Sequence, residues 1–101
     1  MKSSLRARNR KPTHPGAVLR EDVLPDLGIT QAAFAERLGV SRRTISEILH
    51  EHRPVTPDMA LRLARLLGTT PTIWLNMQQA LDIWELEHDR IRVYERIEKF
   101  A

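Results

Sequence analysis

The sequence contains no cysteine. That excludes a disulfide framework, a thiolate zinc site and a cysteine nucleophile, and it suits a reducing cytoplasm, the compartment expected here. Glycine occurs only four times, too few and too scattered for a loop that cradles phosphate. No apolar run approaches the roughly 20 residues that span a bilayer, and no signal-peptide core is seen. No membrane association is expected. The four histidines, His14, His50, His52 and His88, lack metal-ligand spacing, and His50 and His52, two apart, diverge on a helix. The serines lack a nucleophile-elbow context. The expectation is therefore no enzyme, no metal and no cofactor.

What is present is an ordinary globular balance: 101 residues, 42% hydrophobic and 29% charged. This size allows one domain with one modest core. The net charge of +3 is unevenly spread. Lys2, Arg6, Arg8, Arg10 and Lys11 give the first eleven residues +5 with no acid, whereas residues 12–53 and 54–101 each carry −1. The excess charge is thus an N-terminal arm, either simply solvated or seeking phosphate. Residues 1–12 are expected to be a flexible basic arm.

Helix punctuation divides the remainder. Pro15 opens a first helix, with Val18, Leu19 and Val23 on its apolar face, ended by Pro25 and Gly28. Thr30 caps a short helix, Gln31 to Leu38, closed by Gly39; Ser41 caps another, Arg42 to about His50. Thr56-Pro57 opens a fourth helix, stopped by Gly68, and Thr70-Pro71 opens a fifth. In the fifth, Trp74, Met77, Leu81 and Trp84 form one stripe beside Ile73, Ala80 and Ile83, wider than a small bundle needs. Residues 89–101 alternate charged and apolar side chains, a pattern compatible with strand, helix or a partner-dependent tail. The fold class expected is all-α with five short helices.

The second and third helices carry the functional signal. Counting Gln31 as the first position, Ala35 is fifth, Gly39 ninth, Ile45 fifteenth and Ile48 eighteenth, the spacing of a helix-turn-helix. Steeply crossing helices need a small residue where they approach, and the tight turn needs one that tolerates positive φ. With Ala35, Ile45 and Ile48 facing inward, Arg42, Arg43, Ser46, Glu47 and His50 lie mostly on the wet side. The start of a recognition helix enters the major groove, where arginine pairs with guanine and Glu47 suits a cytosine amino group. Gln31, Ser41 and Thr44 lie near helix N-termini, placed to meet phosphate. Two such helices one turn of DNA apart require a two-fold axis. The fifth helix offers it, with Met77, Leu81, Ile83 and Trp84 as the candidate homodimer interface and Trp74 turned to the core.

Longer stretches carry a resemblance. His14-Pro15-Gly16 with Leu19-Arg20-Glu21, Leu27-Gly28-Ile29-Thr30-Gln31, Gly39 to Glu47, Val55 to Ala64, and Leu67 to Pro71 with Trp74 to Gln78 resemble the HigA/VapI-type antitoxins. These are a branch of the Xre/Cro group related to lambda-type repressors. The resemblance covers about residues 14–88. It implies a five-helix lambda-repressor-like domain over 13–88, dimerising through about 70–88, with residues 89–101 as a C-terminal extension. It also implies binding to a palindromic operator on double-stranded DNA and neutralisation of a RelE-like toxin. Base contact carries onto Arg42, Arg43, Ser46 and Glu47, and phosphate contact onto Gln31, Thr30, Ser41 and Thr44. Two other readings stand beside this: a stand-alone repressor without a toxin, and a protein-interaction module with vestigial DNA binding.

Overall fold

A computed structural model describes residues 10–100 of the chain. Among them there is no strand, and five helical segments make the whole architecture. Most of the basic arm, residues 1–9, lies outside the described residues. The first segment, α1, occupies residues 15–27 in three pieces: Pro15–Val18, a π turn at Leu19–Val23, and Leu24–Leu27. The sequence pattern ends this helix at Pro25 and Gly28, yet the helix passes the proline. Leu24 donates its N–H to the Leu19 carbonyl, widening the helix by one residue just before Pro25. Proline thereby falls in the first turn of the resumed helix, where its missing donor and bulky ring do no harm.

The remaining helices follow the punctuation: α2 at Gln31–Leu38, α3 at Arg42–Leu49, α4 at Pro57–Leu67 and α5 at Pro71–Glu95. Thr30, Ser41 and Thr56 accept backbone N–H bonds as N-caps, while Gly28, Gly39 and Gly68 end helices in the left-handed region. Phe34, Ala35 and Leu38 of α2 meet Ile45, Ile48 and Leu49 of α3, and Met59, Ala60 and Leu63 of α4 in one core. Leu19, Leu24, Val55 and Trp74 complete it. Each large side chain so buried contributes about 1.5–3 kcal/mol relative to exposure, which is what holds helices this short.

α5 settles residues that the sequence leaves unassigned. It runs to Glu95, with one non-helical residue at Arg90 (φ −129°, ψ 22°), and a turn follows in which Ile97 N–H reaches the Tyr94 carbonyl at 3.0 Å. α5 also corrects one expectation. Trp74, Gln78 and Leu81, at helical spacing i, i+4, i+7, form its buried side, and Leu81 is only 4% exposed. Leu81 therefore belongs to the chain's own interior rather than to an open interface. Ile83 is 49% exposed, whereas Met77 and Trp84 are half-buried. His88 stacks on the Trp84 ring at 3.6 Å between centroids, and the Lys11 ammonium sits 6.0 Å from that ring and 3.7 Å from Glu85.

His14 joins the arm to the fold. It is buried, and its Nδ1 accepts the Gly16 N–H at 2.8 Å, which only the unprotonated nitrogen can do. Burial pushes the imidazole pKa below its ordinary 6.5, against the upward pull of Glu51, the Arg53 backbone, Asp82 and Glu85. The unfolded chain thus binds more protons in the window below 6.5. Stability is complete above that pH and is lost as pH falls toward the lowered value. Urea unfolding at pH 7.5 and 5.5 should show this loss, and His14→Asn, which caps without titrating, should lose less between those two pH values. Equal losses in both proteins would exclude His14 as the source.

Candidate nucleic-acid interface

The turn between α2 and α3 is built by backbone geometry. Gly39 sits at φ 75°, and Gly39 and Val40 return their N–H groups to the Glu36 and Ala35 carbonyls at 3.1 and 3.0 Å. That double closure requires a left-handed residue, which glycine adopts without strain. Ala35 and Ile45 are each 1% exposed, so the small side chain lies at the crossing as the spacing requires. Arg62 of α4 braces the turn, donating from Nη1 to the Leu38 carbonyl at 2.8 Å while its Nε holds Asp58 at 2.9 Å.

α3 then presents its outer side. Arg42 and Arg43 are exposed, Ser46 and Glu47 half-buried, and Thr44 half-buried beside the cap. Gln31, first residue of α2, joins Arg42, Arg43 and Ser46 around one open cavity of about 400 Å³. Four of the sequence-derived site residues thus share one concavity. Ser41 Oγ accepts the Thr44 N–H at 3.1 Å and shares a hydroxyl–hydroxyl bond of 2.8 Å with Thr44; Thr30 Oγ1 accepts the Ala33 N–H at 3.1 Å. Those hydroxyls serve first as caps. Thr30 keeps its own O–H for a further acceptor, and the Ser41–Thr44 pair keeps one between them.

Glu47 is placed differently from Arg42 and Arg43. Its Oε1 accepts Arg53 Nη2 at 2.7 Å and its Oε2 lies 3.8 Å from Arg43 Nε. The helix ends just beyond, where Glu51 adopts φ 64° and His52 N–H bonds the Glu47 carbonyl at 2.8 Å. Arg20 of α1 closes this end, donating from Nη1 to the Leu49 carbonyl at 2.6 Å and reaching Glu51 at 3.3 Å. A cation beside a helix C-terminus also opposes the negative end of its dipole. His50 and His52 lie past the last helical residue, so they do not diverge along a helix, and their ring centroids are 6.3 Å apart. Arg53 stands in no motif, and Arg20 and Arg62, though inside stretches that carry the resemblance, show no spacing that assigns them a role.

This arrangement, two short helices crossing at a tight left-handed turn with the second one's cationic start exposed, defines a helix-turn-helix protein. Residues 19–74 match the helix-turn-helix family. Antitoxin HigA-1 of Vibrio cholerae is 40% identical over 81 residues, covering 80% of this chain and 76% of that protein. The solved structure of antitoxin GraA superposes with a TM-score of 0.85 at 39% identity, covering 91% of this chain and all of the other. Pseudomonas aeruginosa antitoxin HigA, solved with the higBA promoter, gives a TM-score of 0.80 at 33% identity, covering 89% and 99%. The chain belongs to the helix-turn-helix family, in its HigA-type antitoxin branch.

Proposed function

We propose that the chain is an antitoxin that binds its own operator as a dimer and neutralises a RelE-like, mRNA-cleaving toxin in the cytoplasm. The observation that carries DNA binding is the cavity shared by Gln31, Arg42, Arg43 and Ser46, which joins the starts of both helices on one exposed face. Arg43 reads a base, its side chain being 86% exposed, with Arg42 and Ser46 beside it. Gln31, Thr30, Ser41 and Thr44 hold phosphates through side chains and free amide groups at two helix N-termini. Support for the operator comes from the likeness to an antitoxin solved on promoter DNA. Toxin neutralisation rests on the antitoxin relatives alone. The dimer seam is the side of α5 that bears Ile83, Met77 and Trp84, with Ile73, also 49% exposed, at its start.

Two substitutions separate base reading from phosphate holding. Arg43→Ala should weaken operator binding by roughly 1–3 kcal/mol and relax one base position. Gln31→Ala should weaken every duplex similarly, because phosphate contacts carry no direct base information. Titration of both variants on the chain's own promoter and on a random duplex measures the difference. Equal loss on both duplexes for Arg43→Ala would remove its base-reading role. Coexpression with the product of the neighbouring reading frame tests the toxin: growth arrest relieved by this chain supports an antitoxin, and no arrest leaves a stand-alone repressor.

A further inference from the structure

We infer that Glu47 reads no base and instead positions two arginines, Arg43 within α3 and Arg53 beyond it, making Arg53 a DNA-backbone contact outside the recognition helix. The inference rests on the DNA-binding reading above and extends it to a residue that no motif contains. Both oxygens of Glu47 are engaged: Oε1 with Arg53 at 2.7 Å, and Oε2 toward Arg43 at 3.8 Å. Its side chain is 31% exposed, against 86% for Arg43 and 46% for Arg53. A bare carboxylate facing a polyanion is repelled, whereas one flanked by two guanidinium groups becomes part of a cluster of net charge +1. Arg53 uses one edge of its fork on Glu47 and keeps its other donors for a phosphate oxygen.

The backbone that carries Arg53 is fixed on both sides. His52 N–H is tied to the Glu47 carbonyl at 2.8 Å, and Val55 N–H donates to the buried Gln78 Oε1 at 2.9 Å. Gln78 is oriented in turn by donating from Nε2 to Asp82 at 2.9 Å. Pro54 disfavours the helical region for Arg53 itself. A guanidinium on so anchored a loop, clamped by a carboxylate from the recognition helix, is ordered before DNA arrives. That lowers the entropy lost on contact.

A thermodynamic cycle that crosses Glu47→Gln with the Arg43→Ala, Arg53→Ala pair tests this. The probes are the promoter fragment upstream of the chain's own gene and a random duplex of equal length, with circular dichroism to check that each variant is folded. Arg53→Ala should lower the log–log salt slope by about 0.9 on both duplexes without changing base preference. Glu47→Gln should lower the promoter-to-random affinity ratio roughly tenfold in the parent protein. In the Arg43→Ala, Arg53→Ala background the same change should have less than about a twofold effect, because the groups it positions are gone. An undiminished effect in that background makes Glu47 a direct base reader and overturns the inference. A parent protein that does not distinguish the two duplexes overturns the DNA-binding reading itself, and this inference with it.

Discussion

Gly16→Ala should be among the most destabilising single substitutions in this chain, although it adds one methyl group to a helix. A Cβ at residue 16 would lie 1.8 Å from the Ile48 carbonyl oxygen and 2.8 Å from its carbon. Those are backbone atoms of a residue 1% exposed in the last turn of α3, so no side chain can swing aside. α1 and α3 would have to part by more than an ångström. The movement would strain the Arg20 bond to the Leu49 carbonyl at 2.6 Å, and the new Cβ would also crowd His14 Nδ1 at 3.0 Å. Alanine's better helix propensity returns only about 1 kcal/mol, while overpacking costs about 1–3 kcal/mol or more and here also loosens polar bonds. The steric effect wins. A net loss of about 3 kcal/mol would remove a large part of a typical 5–15 kcal/mol. Gly68→Ala is the control: its Cβ would meet nothing within 4 Å, and only the left-handed φ of 71° penalises it. It should cost about 1 kcal/mol. Urea unfolding midpoints measure both, and a Gly16→Ala protein no less stable than Gly68→Ala would refute the close approach. Because Ile48 belongs to α3, operator affinity should fall along with stability.

Local interactions leave marks in the sequence that long-range ones do not. Helix starts and stops were legible because a cap is a short-range event: Thr30, Ser41 and Thr56 each bond an amide three residues ahead. Ala35, Gly39, Ile45 and Ile48 were legible because a steep helix crossing dictates residue size at fixed offsets. The path past Pro25 was not legible, since the π turn that accommodates it depends on how α1 packs. Neither were the bonds of Arg20 and Arg62, whose carbonyl partners lie 29 and 24 residues away. A long, flexible cation takes whichever acceptor the packing delivers, and no sequence period records that choice. The spacing puts Glu47 on the outer side of α3 but holds no sign that its carboxylate is paired. Arg53 is six residues from it and reaches it only because the helix ends in a left-handed residue that is not glycine.

The stripe on α5 divides between an inner and an outer side, Leu81 being 4% and Ile83 49% exposed, and this division carries the second large effect. Leu81 and Ile83 are two residues apart on one helix, so they face nearly opposite directions. Leu81→Asp should unfold the chain or leave it severely destabilised, by about 3–5 kcal/mol. It would place an ionised carboxylate at a site 4% exposed, on the same buried side of α5 as Trp74, which is equally buried. Ile83→Asp should change the stability of the single chain by no more than about 0.5 kcal/mol, since the residue is 49% exposed. Its effect should appear in assembly. At a two-fold seam the substitution sets two like charges against each other, so sedimentation should show a monomer of native helix content. That monomer should lose specific operator affinity, because one recognition helix cannot span two half-sites roughly 34 Å apart. The pair of variants separates the helix's two sides, one failing in circular dichroism and the other in sedimentation. A folded dimer carrying Ile83→Asp would move the seam away from this face. Leu86, Ile91, Val93 and Ile97, exposed toward the far end of the chain, would then be the surface to test.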